Sequence, residues 1–376
     1  MDIRRTRHYM LLRTMLKSVL RRPGWGGPID DSAMMPHVPP VLMDWPEGVP
    51  KPRVGLVKDT DIYPYWTKFR RFLEANRIHY RLYDIHRSDW LARAAEFDLV
   101  IWRPMSFPYE MEECRRKLYV LERKLCKQTY PSFDEAMLYE DKALQYYLLK
   151  LHGLPVIDTF VSHSREEALR YMAGRSYPAV WKIATGSGSW GVELVRDAKA
   201  GVSWTKDVFS FAGRRTYWPF LRQKDYIYVQ DLEPNAGFDL RVIVVGDKVA
   251  SFYRDVPDGE YRASGMGLVR WGAPDRECVS IARQVAAALE IPCLAVDFLV
   301  GRTDGRPSII ELSSFTQVDL PELLRIDGRL GWLEGEDLHF VEGRAWLQEL
   351  ALEQFLLTRW LASRSDQSES DRTVSV

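Results

Sequence analysis

The 376-residue chain has few cysteines and no excess of either charge. Cys114, Cys126, Cys278 and Cys293 are scattered, with no C-x-x-C and no histidine pair near them. This argues against structural zinc and a disulfide framework, and for buried thiols in a reducing cytoplasm. Lys+Arg and Asp+Glu balance at 52 each, so no global field recruits nucleic acid and any anion site must be local. No apolar run approaches the ~20 residues that span a bilayer. There is no G-x-x-x-x-G-K-[ST] loop and no Ser-His-Asp or Cys-His arrangement, which removes a P-loop and leaves no obvious covalent nucleophile. What is present is ordinary for a soluble enzyme, with 46% hydrophobic and 28% charged residues. The length suits two or three core-forming units of roughly 100–200 residues each.

Residues 3–22 read as a basic amphipathic helix, with Leu12, Met15, Leu16, Val19 and Leu20 on one face. Docking on the body or a partner, lying on an anionic membrane surface, and targeting all fit it. A Pro/Gly-rich linker completes residues 1–52. Residues 53–136 alternate strands (54–57, 79–83, 99–102) with helices (66–75, 110–127), which predicts a small parallel-sheet α/β domain. Its carboxyl-end loops, Lys58-Asp59-Thr60 and Arg103-Pro104, are where such a sheet presents ligands. From 137 to 325 the pattern becomes α+β, with several antiparallel strands and helices at 139–151, 165–172 and 276–289. Residues 326–361 are expected as a helical extension closing with 346–361, and 362–376 as a polar, disordered tail.

The segment 179–195, AVWKIATGSGSWGVELV, is the most informative. Lys182 lies on an apolar run before the loop Gly186-Ser187-Gly188-Ser189-Trp190-Gly191. The loop spells G-x-G-x-x-G, but the alternating strand after it predicts a hairpin tip, not the helix N-terminus of a dinucleotide site. Glycines let backbone N–H groups close on an anion, and Lys182 adds a fixed positive charge. A hairpin that binds nothing is the bland alternative. Lys142 opens a helix after Glu140-Asp141, where a merely solvated lysine is the alternative. Gln230-Asp231-Leu232 ends a strand that could pair its backbone with an adenine edge, with Asp239 just beyond. Arg241, Arg254 and Arg262 offer forked groups for phosphate or carboxylate. Asp297 and Glu311 stand in apolar strands joined by a turn, so antiparallel pairing would set both carboxylates on one face. Buried acids need compensation, and Mg²⁺ bridging carboxylates to phosphates supplies it. Exposed edge acids are the alternative.

In this order the elements resemble the ATP-grasp superfamily, and the Asp-x-Arg pattern with its late arginine is most similar to the α-L-glutamate ligase type. The resemblance runs over roughly residues 138–320 and implies an ATP-grasp fold after a preceding α/β domain. It implies ATP between two α+β subdomains, with Lys142 and Lys182 on the phosphates and the glycine hairpin over them. Gln230, Asp231 and Leu232 would frame adenine, with Asp239 a candidate for ribose. Asp297 and Glu311 would hold Mg²⁺ (or Mn²⁺), and Arg241 and Arg254 would act on the transferring group. The implied reaction joins a carboxylate to an amine through an acyl phosphate. The family's metal strand normally ends Glu-x-Asn, whereas this chain reads Glu311-Leu312-Ser313. Ser313 is a shorter, poorer ligand, with Gln317 or Asp319 as possible helpers. Partners implied are small-molecule, peptide or amino-sugar acids and amines.

Overall fold

The computed structural model describes residues 28–186, 191–218, 220–257, 263, 268–315 and 324–364. The helix expected at 3–22, the loop residues Ser187, Gly188, Ser189 and Trp190, Arg262, Gln317, Asp319 and most of the 362–376 tail lie outside these.

Four short strands, β1 (Val54–Leu56), β2 (Tyr80–Leu82), β3 (Leu99–Ile101) and β4 (Gln128–Tyr130), form a parallel sheet in the order β2-β1-β3-β4. The central strands Val-Gly-Leu and Leu-Val-Ile are buried throughout, as strands covered on both faces must be. The helix Trp66–Ala75 and the longer Pro108–Arg123 provide cover, the latter through the stripe Met111, Cys114, Leu118 and Leu121. Strand β4 was not anticipated, being three residues with a half-buried glutamine first. Residues 28–52 are irregular, as expected, yet fastened to the body. Asp31 pairs with Lys68, and Met43 N–H donates to Asn76 Oδ1 at 2.7 Å.

After the helices Phe133–Leu138 and Lys142–Leu151, a second sheet pairs β5 (Thr159–Ser162), β6 (Ala179–Lys182), β7 (Val192–Val195) and β10 (Ile227–Asp231) in antiparallel order β5-β10-β6-β7. The helices Arg165–Gly174 and Ala198–Val208 pack with it, and β8 (Arg214–Arg215) and β9 (Arg222–Gln223) form a separate ribbon. A large antiparallel sheet then combines β11 (Asn235–Val245), β12 (Lys248–Asp255), β13 (Val269–Trp271), β14 (Cys293–Gly301) and β15 (Pro307–Ser313). The helix Arg276–Ala288 covers it with Cys278, Val279, Ile281, Ala282 and Val285.

The expected helical extension over 326–361 needs correction. Its first half forms strands β16 (Arg325–Ile326), β17 (Arg329–Glu334) and β18 (His339–Glu342), and β17 pairs with β12, so this segment belongs to the large sheet. Only the rest is helical, Leu347–Phe355 continuing into a wider turn, Leu356–Leu361. That helix packs back on the first unit, with Phe355 and Tyr130 ring centroids 4.9 Å apart. One hydrophobic cluster therefore joins Leu56 and Phe72, Ile243 and Ala295, and Leu350 and Leu352. No helix among the described residues is long and apolar enough to cross a membrane.

Candidate active site

The cleft lies between the hairpin sheet and the large sheet. On one side, Asp141 caps Lys142–Leu151 by accepting from Leu144 N–H. Lys142 N–H donates to Ala184 O at 2.9 Å, tying this helix start to the strand that carries Lys182. Lys142 Nζ lies 2.9 Å from Glu311 Oε1 and donates to Gly186 O at 2.5 Å. Lys182 ends β6 opposite Val192 and is buried. Burial pulls its ammonium down to about 8, against the pull of Glu311 and with help from Lys142. For Lys142, burial is outweighed by Glu311 and Glu140, which hold it above its ordinary value. The loop closes at Gly191, whose φ of +81° and closeness to Ile183 leave no room for a side chain.

The opposite wall is a cross-strand array. Register sets Arg241 beside Asp297 and Asp297 beside Glu311, while Asp239 faces Arg254 one step along. Asp297 takes a bidentate pair from Arg241, at 2.6 and 2.7 Å, and Arg254 Nη2 lies 2.7 Å from its Oδ2. Burial pushes the Asp297 carboxyl up, but the two guanidinium groups more than cancel it and hold it well below the carboxylate range. Asp239, buried and paired with Arg254, rises to about 6 because desolvation outweighs that arginine. Between Asp297 and Phe298 the register slips, making Ile310 the extra residue of a bulge. This turns both Ile310 and Glu311 into the cleft lining.

The enclosed space is about 100 Å³, below the ~300–1,000 Å³ usual for ligand sites. Its acids and cations fill it by pairing with one another.

The structure gathers Lys142, Lys182, Gly186, Gln230, Asp231, Leu232, Asp239, Arg254, Asp297 and Glu311 around this space, with Arg241 and Gly191 in direct support. Three of these have side-chain partners that the sequence did not show. The Gln230 amide turns into the sheet, donating to Thr159 Oγ1 and Tyr228 Oη. Asp231 pairs with Arg175. Asp239 sits in the charged array with Arg254, a position that does not favour a ribose role. Ser313 Oγ donates to Phe315 O at 2.7 Å and leaves its lone pairs available.

Among the described residues no group of three or more His, Cys, Asp or Glu forms a metal cage. Two carboxylates, Asp297 and Glu311, stand side by side across the register, the first held by Arg241 and Arg254 and the second by Lys142. That donor set fits Mg²⁺ in its nucleotide mode, with one or two carboxylates and the balance from phosphates and water.

Sequence reading missed Glu140. It is buried at φ +58°, its Oε2 has no hydrogen-bond partner among the described residues, and burial raises it to about 7 against the pull of Lys142. It also missed Glu233, Asn235 and the apolar walls Ile157, Val180, Val192 and Leu299. Of these, Val180 and Leu299 carried a signal, each two residues from a charged cleft residue on its own strand, Lys182 and Asp297.

Residues 139–327 match the RimK-like ATP-grasp domain. The chain is 30% identical over 200 residues to the glutamate–LysW ligase ArgX of Sulfurisphaera tokodaii, covering 51% of this chain and 64% of that protein. It is 31% identical over 182 residues to a probable alpha-L-glutamate ligase of Nitrosococcus oceani, covering 46% and 54%. It thus spans less than two thirds of either relative's length. In fold it is similar to D-cycloserine synthetase DcsG, with a TM-score of 0.50 and 18% identity over 73% of this chain and 95% of that one. The family match takes in half of the chain and every described wall of the cleft, and the protein belongs to the RimK-like ATP-grasp family.

Proposed function

We propose that the protein is an ATP-dependent ligase that joins a carboxylate to an amine, releasing ADP and phosphate. The observation that carries this is the convergence of Lys142, Lys182, Arg254, Asp297 and Glu311 on one cleft, which is also lined by Gly186 and by Val192 of β7. Lys142 and Lys182 meet the phosphates as fixed charges, and the strand end at Asp231-Leu232 frames the base. A substrate carboxylate oxygen attacks the γ-phosphorus, forming a P–O bond as the bond to ADP breaks. Arg241 and Arg254, pre-aimed by Asp297 and Asp239, stabilise charge on the moving phosphoryl group. The amine nitrogen then attacks the acyl carbon, the C–N bond forms, the C–O bond breaks, and phosphate leaves with the amine proton. Asp297 and Glu311, with Ser313 or water completing the set, would hold Mg²⁺ or Mn²⁺, which would supply positive charge to neutralise the phosphates. Substrates are small-molecule, peptide or amino-sugar acids and amines, and the cysteine usage favours a cytoplasmic setting.

The test is ADP and phosphate release that requires both an acid and an amine, with the product identified by mass. AMP and pyrophosphate as products overturn the reading, and a phosphorylated product makes the protein a phosphotransferase on the same site. One observation favours a second reading, a nucleotide-binding protein with little turnover. Ser313 stands where the Glu-x-Asn pattern has an amide, and no third carboxylate joins Asp297 and Glu311 among the described residues. It predicts tight ATP binding without hydrolysis in the presence of any acceptor.

A further inference from the structure

A second cavity, of about 770 Å³, sits at the carboxyl edge of the first sheet and shares no lining residue with the nucleotide cleft. In the order β2-β1-β3-β4, the chain passes from β1 to β2 on one side and then crosses to β3 on the other, so the strand order reverses at β1. Open parallel sheets bind ligands at that reversal. The lining comes from residues after β1, after β2 and at the start of Pro108–Arg123, all at that edge.

What the cavity accepts depends on which of its charges are already engaged. Asp59 is saturated, accepting from Asp61 N–H at Oδ1 and from Tyr65 and Trp66 N–H at Oδ2. Glu110 accepts from Met105 N–H, and Glu113 pairs with His86 and Lys117. Asp84 is exposed and accepts from His86 N–H, so solvent screens it. Among the cations, Arg87 pairs with Asp89. Lys58 and Arg93 differ. Each lies over an aromatic ring, Trp66 at 4.8 Å and Tyr83 at 6.0 Å, and neither makes an ion pair or side-chain hydrogen bond among the described residues, Arg93 acting on Asp89 only at a distance. Two large apolar side chains of the lining, Leu82 and Tyr109, are 44% and 49% exposed. An ammonium and a guanidinium without a hydrogen-bonded acid, in a cavity also lined by half-exposed apolar side chains, match an anion carried on an apolar stem.

We propose that this cavity is a second binding site, taking a carboxylate on an apolar or aromatic stem through Lys58 and Arg93. The binding itself does not depend on the ligase reading; its use as the seat of a ligase substrate does. Its rim meets the unit that carries the glycine hairpin. The Tyr109 ring is 5.8 Å from Phe220, and neighbouring Phe107 packs with Trp218 and Ile183, the residue after Lys182.

Calorimetry on the full chain tests this with 3-phenylpropionate, 3-phenylpropanol, inorganic phosphate and a short peptide ending in phenylalanine carboxylate. Binding of the propionate or the peptide is expected, the tighter of the two marking a small molecule or a chain end as the natural ligand. Lys58→Met and Arg93→Met should each weaken it at least tenfold, while affinity for a non-hydrolysable ATP analogue, measured on the same samples, stays unchanged and reports an intact fold. Equal binding of the alcohol, binding of phosphate alone, or affinity that survives both substitutions overturns the proposal. Carboxylate binding without any nucleotide binding would instead count against the ligase reading and leave this site standing.

Discussion

Burial holds Lys182 at about 8, from an ordinary 10.5, and so makes it a costly residue for the fold. The difference corresponds to about 3 kcal/mol. The folded chain binds this proton less tightly than the unfolded chain, so the cost applies in full below about pH 8 and is relieved as pH rises toward 10.5. Lys182→Met should therefore keep or raise the melting temperature at pH 7 while weakening ATP binding at least tenfold. Wild-type ATP affinity should also fall above about pH 8, and calorimetry should find no such fall in the variant. The two acids separate in the same way. Asp297 is buried between two guanidinium groups, so Asp297→Asn strands their charge and should cost about 3–5 kcal/mol in thermal unfolding. Glu311 is 27% exposed and shares the buried Lys142 with Glu140, so Glu311→Gln should lower the melting temperature by less than Asp297→Asn does, yet lose ADP release. A wild-type melting curve for Asp297→Asn would mean the paired array is not holding the sheet. Lys182, Asp297 and Glu311 were legible because a charge inside an apolar strand stands out in sequence. Glu140 was not, since its left-handed backbone and burial are imposed by the strand and helix that meet around it.

Among elements, the hairpin β6–β7 follows from its alternation, and its closing glycine has two constraints at once. A Cβ on Gly191 would come within 2.6 Å of Ile183 Cδ1, and its φ is +81°. Gly153, at φ +65°, has nothing within 4 Å of an added Cβ. Gly153→Ala should cost only the backbone strain, about 1–2 kcal/mol. Gly191→Ala should displace the hairpin and reduce ATP affinity as well, a split read by comparing melting with nucleotide titration. The helix Ala198–Val208 escaped the sequence reading because its buried face is Gly201, Thr205 and Val208, too polar to register as an apolar stripe. Strands β16 to β18 escaped because each is short and their pairing relies on close approach. At Gly331 an added Cβ would stand 2.0 Å from Val341 O.

For the whole molecule, the closing helix does more than finish the chain. Glu349 on it is fully buried, 2.7 Å from Arg71 Nη1 on the first unit, and accepts from Val41 N–H of the entering segment at 3.0 Å. Glu349→Ala should lose about 1–3 kcal/mol, since Val41 N–H loses its acceptor and Arg71 its acid while keeping Val38 O. Limited proteolysis should then cut first near residues 38–45, and an unchanged cleavage pattern would show that the strap is held elsewhere. Sequence alone determined the order of chemical groups along the cleft and the alternation that makes each strand, because periodicity and isolated charges are local properties. Which groups face one another was decided only by tertiary structure. Cross-strand register puts Asp297 between Arg241 and Glu311, a one-residue bulge turns Glu311 inward, and one core fuses units that composition divides at residue 136. Those are long-range contacts, and no local pattern encodes their geometry.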